Sequence, residues 1–166
     1  LAEAWCRTDA KDKGIQILAS AISMYQAANW KVGVAKTKSL LGEGYWLAGK
    51  YDKAKEVVKE SVELTEHCGM RFYLGFCHRI LGEIERVIAP DQSSTYFEKS
   101  ILILKELKAE NELALAYVGY GRLYKQKQRF DKASEYLKKS LEIMERLGTI
   151  IEPDKIKMEL AELLET

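Results

Sequence analysis

The sequence predicts an all-α chain, a superhelical array of antiparallel helix pairs closed by a C-terminal capping helix. Three observations carry that expectation. Apolar residues recur at helical rather than alternating spacing: in YDKAKEVVKESVELTEH, Tyr51, Ala54, Val57, Val58, Ser61, Val62 and Leu64 fall mostly on one helical face. Only two prolines, Pro90 and Pro153, interrupt 166 residues, and proline is the strongest breaker of a helix. The chain is also self-similar at a period near 40 residues, the signature of a repeat architecture.

The elements follow in chain order. One period back from Gly42 lies Ala2, so Leu1 to Thr8 reads as the tail of a first helix, and KDKGIQILASAISM from Lys11 as the second helix of that partial repeat, over residues 1–29. In repeat 31–69 the first helix carries Leu41-Gly42 and the second is YDKAKEVVKESVEL from Tyr51. Repeat 71–108 carries Leu81-Gly82 and then PDQSSTYFEKSILI from Pro90, with its opening turn one residue shorter. Repeat 111–148 carries Tyr120-Gly121 and FDKASEYLKKSLEI from Phe130. One period beyond Gly121 is Ala161, which makes 153–166 a capping helix in a single array. That helix starts with Pro153 at a favoured N-terminal position. It is expected to bury Ile156, Leu160, Leu163 and Leu164 and to turn Lys155, Glu159 and Glu162 to water.

Gly42 to Ala54 and Gly121 to Ala133 are twelve residues each, and Gly82 to Ser93 is eleven. Small residues at both places let two antiparallel helices approach closely. Glycine costs roughly 1 kcal/mol against alanine inside a helix, so packing is the reason for its presence. Asp52 and Asp131, after the turn aromatics Tyr51 and Phe130, are placed to cap the next helix or to act on its N-terminal dipole.

Charge and composition exclude several functions. Twenty-six basic and twenty-five acidic side chains leave +1, so no bulk field draws the chain to nucleic acid or to an anionic membrane. No apolar run approaches the roughly 20 residues that span a bilayer, and LAEAWCRTDAKDKG lacks the order of a secretory signal. The chain begins at Leu1 rather than Met, as an excised or processed fragment would. Cys6, Cys68 and Cys77 are an odd number at unrelated spacings, which argues for a reducing, cytoplasmic setting.

Chemical motifs are thin. Gly42-Glu43-Gly44 and Gly119-Tyr120-Gly121 lie inside helix patterns and do not continue into a phosphate-binding loop. His67-Cys68 and Cys77-His78 suggest zinc, but adjacent helical residues point about 100° apart, so neither dipeptide can give both side chains to one metal. The same geometry disfavours a Cys-His nucleophile. No metal and no cofactor are expected, and the chain is read as non-enzymatic. Lys53-Lys55 and Lys138-Lys139, interleaved with Glu, read as a solvated outer face.

The landmarks Leu41, Gly42, Tyr45, Tyr51, Ala54 and Val58, and again Tyr117, Tyr120, Gly121, Tyr124, Phe130, Ala133 and Leu137, resemble the tetratricopeptide repeat family. Glu85 stands where a Tyr is usual, while Gly82, Phe97 and Ser100 hold the register of the central copy. A period near 40 exceeds the roughly 34 residues of the standard repeat, and long repeats of this kind look like those of bacterial signalling and regulatory proteins. The resemblance implies a right-handed superhelix with first helices lining the concave wall. Groove positions would then be Lys36, Ser39, Glu43 and Trp46; Phe76, Arg79, Glu83 and Arg86; and Val118, Arg122 and Lys125.

Of these, Ser39, Glu43, Trp46, Phe76, Arg79, Glu83, Arg86, Arg122 and Lys125 are the candidate peptide-binding residues. The groove is mixed in sign and tilts positive toward its C-terminal half, which suits an acidic peptide or protein tail, with Trp46 and Phe76 as apolar anchors. The alternative is that Arg79 pairs with Glu83 at i, i+4 and that Trp46 and Phe76 are buried between repeats. A carboxylate clamp of the chaperone-tail kind is disfavoured, because Asn29 and Asn111 lie at repeat junctions.

The expected function is a protein–protein interaction scaffold that binds a peptide segment or a partner domain. The alternative is a C-terminal regulatory, sensory or dimerisation arm of a larger nucleotide cyclase, ATPase or transcriptional regulator. A homodimer is expected if Ile15, Leu18 and Ile22 are left incompletely covered.

Overall fold

A computed structural model describes residues 10–149 and 151–164. Among these residues eight helices follow one another: α1 Lys11–Ala27, α2 Lys31–Leu47, α3 Tyr51–His67, α4 Arg71–Ile88, α5 Pro90–Glu106, α6 Glu110–Gln126, α7 Phe130–Arg146 and α8 Ile151–Leu164. Among the described residues there is no strand, and no helix is long and apolar enough to cross a membrane. The tail helix expected over Leu1 to Thr8, Cys6 and Glu165 lie outside the described residues.

Each helix packs on its chain neighbours, and α4 also touches α2 and α6. The first helices α2, α4 and α6 therefore form a continuous inner layer. The second helices α3, α5 and α7 form an outer one, the all-α superhelical arrangement that the sequence predicts.

The crossings within each pair show why glycine is needed. A Cβ on Gly42 would lie 2.1 Å from Val58 Cγ2, on Gly82 2.9 Å from the Phe97 ring, and on Gly121 2.9 Å from Leu137 Cγ. Val58, Phe97 and Leu137 are fully buried at these points. A serine hydroxyl one turn further on then donates to the backbone of the first helix: Ser61 to Ala35 O at 3.0 Å, Ser100 to Gly75 O at 2.8 Å and Ser140 to Ala114 O at 2.9 Å. Steric fit and one buried hydrogen bond thus set the same register three times over.

The turns repeat as well. Asn29, Gly49, Gly69, Lys108, Gln128 and Gly148 take positive φ. The next residue's N–H reaches back to the carbonyl five residues earlier, as in Lys50 to Tyr45 O at 2.9 Å and Arg129 to Tyr124 O at 2.9 Å, which is the Schellman way of ending a helix. The α4–α5 turn departs from this. Ala89 is at φ −152°, ψ 71°, in the extended region a following proline imposes, which accounts for the missing residue.

Three details differ from expectation. Asp52 and Asp131 make no side-chain cap; the N-cap residues are Lys50 and Arg129, and the aspartates sit in the first turn, where they act on the helix dipole. In α8, Pro153 is the third residue rather than the first, still among the positions whose N–H has no helical acceptor. Ile156 and Leu163 are buried as expected and Leu160 is half-buried, but Leu164 is exposed.

Candidate functional site

The inner layer closes over its own centre. Residues 75–85 of α4 are buried without interruption, because α2, α3, α5 and α6 pack around that helix. Of the candidate peptide-binding residues, Ser39, Glu43, Phe76, Arg79 and Glu83 are therefore buried, and so is the groove position Val118. Trp46 is half-buried. Arg86, Arg122 and Lys125 reach solvent, with side chains 24%, 32% and 34% exposed.

Ser39 belongs to a buried polar cluster rather than to a surface. Its hydroxyl lies 2.8 Å from that of Ser61, and the Cys77 thiol approaches the two at 3.3 and 3.5 Å. Burial pushes that thiol's pKa up despite these contacts, so Cys77 is an inert neutral group in the core.

Arg79 links three first helices. Its Nη2 donates to Glu43 Oε1 on α2 at 2.9 Å and its Nε to Glu112 Oε2 on α6 at 2.9 Å, while the guanidinium stacks 5.0 Å above the Phe76 ring. Burial alone would lower the pKa of Arg79, but the facing carboxylates Glu112 and Glu43 raise it above its ordinary value. The i, i+4 pairing of Arg79 with Glu83 does not form. Glu83 instead accepts from Arg86 Nε and Nη2 at 3.1 and 2.9 Å. A Cβ on Gly119 would lie 2.4 Å from Glu83 Oε1, so this glycine of α6 makes room for a carboxylate of α4.

The ladder continues into α8. Glu159 accepts from Arg122 Nε and Nη2 at 2.6 to 3.2 Å, and Glu162 accepts from Lys125 Nζ at 2.6 Å. Hence Glu159 and Glu162 do not simply face water, and the expected positive tilt of the C-terminal half is cancelled by them and by Glu112. Sequence reasoning missed these three carboxylates. The available signal was spacing: Arg122 to Glu159 and Lys125 to Glu162 are both 37 residues apart, close to one period, so opposite charges recur on successive inner helices.

On the outer side, Cys77 and His78 meet different neighbours. The His78 ring lies 6.1 Å from that of Tyr96. Burial and the Lys99 ammonium push its pKa down to about 4, so it is neutral at pH 7, and its Nδ1 has no hydrogen-bond partner among the described residues. Among the described residues no group of His, Cys, Asp and Glu is gathered as a metal site would require.

Residues 89–146 match the family model of the tetratricopeptide repeat, which bears out the likeness read from Phe97, Tyr120, Gly121 and Ala133. No curated protein matches the chain. Among solved structures, the crystal structure of BtubC (BKLC) from P. vanneervenii superposes with a TM-score of 0.80 over 99% of this chain and 69% of that chain, at 18% identity. At that identity the likeness is one of fold, a helical-repeat superhelix. Tetratricopeptide repeats generally mediate protein–protein interactions and are typically non-enzymatic.

Proposed function

From the tetratricopeptide repeat match as premise, we propose that this chain is a protein–protein interaction scaffold that takes an acidic peptide segment or partner domain against its inner layer. The observation that carries the reading is the outer part of the charge ladder. Arg86, Arg122 and Lys125 are partly exposed, and they are held by carboxylates of the chain itself. A partner's carboxylates can take the place of Glu159 and Glu162, which reach solvent, without opening the core, while Arg86 keeps the buried Glu83 and offers its exposed edge, and an Arg fork accepts such contacts with defined geometry. The half-buried Trp46 supplies an apolar edge on the same layer. The buried members, Ser39, Glu43, Phe76, Arg79 and Glu83, support the surface from beneath and do not touch the partner.

A random-peptide phage library panned on the folded protein tests this. Selected peptides should be rich in Asp and Glu, and an Arg86→Ala, Arg122→Ala, Lys125→Ala variant should bind them about tenfold or more weakly, a loss of about 1.4 kcal/mol. Substituting Lys138 and Lys139 on the outer layer should leave binding unchanged. Peptides whose affinity follows the outer lysines instead would sink the proposal.

A further inference from the structure

Ile15, Leu18 and Ile22 of α1 are buried in a cluster shared with Val34 and Leu41 of α2, so the uncovered face expected at those three residues is not there. The opening beside α1 lies elsewhere, in a cleft of about 400 Å³ over the first turns of α2, between the last turns of α1 and α3. The buried Val34 and the half-buried Leu64 give it an apolar floor. Tyr25 and Trp30 line one side, with their rings edge to face at 4.7 Å. The Trp30 ring lies over Gly33, where an added Cβ would come within 2.4 Å of Cε3. That glycine lets the ring settle against the helix while 51% of the residue stays exposed.

The same place in the last pair is filled. Counted from the helix starts, Tyr25, Trp30, Val34 and Leu64 correspond to Leu104, Ala109, Leu113 and Ile143, and those four pack in one cluster with Tyr117. The residue corresponding to Tyr117 is Lys38, which pairs with Glu60 instead. The mouth differs as well. In the last pair Glu110 at the start of α6 is bridged to Arg146 at the end of α7, and in the central pair Arg71 is bridged to Glu106. The corresponding residues of the first pair are Lys31 and His67, which have no opposite charge to offer each other. Hence the first pair lacks both the ring that fills this crevice and the ion pair that shuts it.

We propose that the cleft is a docking site for an uncharged aromatic side chain, Phe or Tyr, carried on a segment of a partner protein. The occupant follows from the last pair, where the chain fills the matching space with a tyrosine ring of its own. Charge agrees with this. Lys31 and Lys38 face Glu60 and Glu63 across the lining, two of each sign, so a neutral ring meets no net field and a charged side chain would be desolvated without a surplus of opposite charge. Tyr25 and Trp30 offer the edge and face contacts that favour a third ring. A site for a free aromatic compound would enclose most of its ligand, whereas Trp30, Lys31, Glu60 and Glu63 are all exposed and leave one side open for a backbone. The cleft opens between the second helices α1 and α3, so it is separate from the inner surface of Arg86, Arg122 and Lys125.

Nuclear magnetic resonance titration of the folded chain, followed at the Trp30 indole N–H and the Leu64 methyls, tests this with blocked pentapeptides Gly-Ser-Xaa-Ser-Gly carrying Phe, Ala, Arg or Glu at the centre. The Phe peptide should give a saturable shift and bind about tenfold or more tightly than the other three. Lys38→Tyr, which installs the residue of the last pair, should fill the cleft and abolish the shift at Trp30, and Trp30→Ala should abolish it at Leu64. Neither replaced side chain is buried, so both variants should keep their helical circular dichroism. A Phe peptide that gives no saturable shift or binds no better than the Ala peptide, tighter binding of the Arg or Glu peptide, or binding that survives Lys38→Tyr would each overturn the proposal. So would a Trp30 signal that moves on dilution without peptide, which would make a second copy of the chain the occupant.

Discussion

Where α6 carries Tyr117 and Tyr124, α4 carries His78 and Glu85, and where α7 carries Tyr136 and Lys139, α5 carries Tyr96 and Lys99. The last pair fills its outer crevice with rings. Tyr124 and Tyr136 stack at 5.6 Å, Tyr120 lies 4.7 Å from both, and the hydroxyls are satisfied in series, Tyr124 donating to Tyr120 and Tyr120 to Glu98 at 2.7 Å. Burial, with the hydrogen bond that Tyr120 donates to Glu98, pushes the Tyr120 phenol's pKa up.

The central pair fills the same space with charge. Glu85 is fully buried with Lys55 Nζ 2.7 Å away, yet neither carboxylate oxygen has a hydrogen-bond partner of good geometry among the described residues. His78 faces Lys99, where the pair before it has the ion pair of Lys38 with Glu60. The two pairs share a register because the Gly82–Phe97 and Gly121–Leu137 crossings and the Ser100 and Ser140 hydrogen bonds are the same. The crevice around that crossing is free to vary in chemistry, and the central pair is the more costly of the two versions.

The largest expected effect breaks the central pair at its inner face. Arg79→Met leaves Glu43 and Glu112 buried without their shared cation, and should cost about 3–5 kcal/mol in urea unfolding. Replacing all three by apolar residues of similar size should recover most of that loss. Hydrogen exchange on Arg79→Met should show α4 and α5 losing protection before α7; equal loss in both pairs would mean that the array unfolds as one unit.

A smaller effect sharpens the account of the last pair. Tyr120→Phe keeps the stacked ring but removes the group that links Tyr124 to Glu98, and should cost about 1 kcal/mol. An unchanged melting temperature would assign the stability of that crevice to stacking alone.

The smallest effect at neutral pH is at His78. His78→Gln should change stability little at pH 7, where the ring is already neutral. The histidine's pKa is depressed on folding from 6.5 to about 4, so the unfolded chain binds its proton first. The stability contributed by the neutral ring is present above pH 6.5 and is lost as pH falls toward 4. The variant should lack that part of the acid slope, and identical slopes in the two proteins would show that His78 takes its proton without cost.

The fold was legible in the sequence because its causes are local. Helical spacing, the Gly42, Gly82 and Gly121 landmarks and the small residues at Ala54, Ser93 and Ala133 each act within one pair, and the shortened Pro90 turn is visible as a missing residue. The site was legible only as a list of side chains on one layer. Arg79 was correctly placed on the inner layer, but its partners Glu43 and Glu112 are 36 and 33 residues away, and no periodicity within one helix points to them.

By itself, then, the sequence determined that this chain is a stack of helix pairs, since close crossing and apolar periodicity depend on residues within one repeat. Tertiary structure decided which charges are open to a partner. Burial and ion pairing depend on how neighbouring repeats close over one another: that closure shuts Arg79 and Glu83 into the core, turns Glu159 and Glu162 onto Arg122 and Lys125, and leaves the cleft beside Trp30 open.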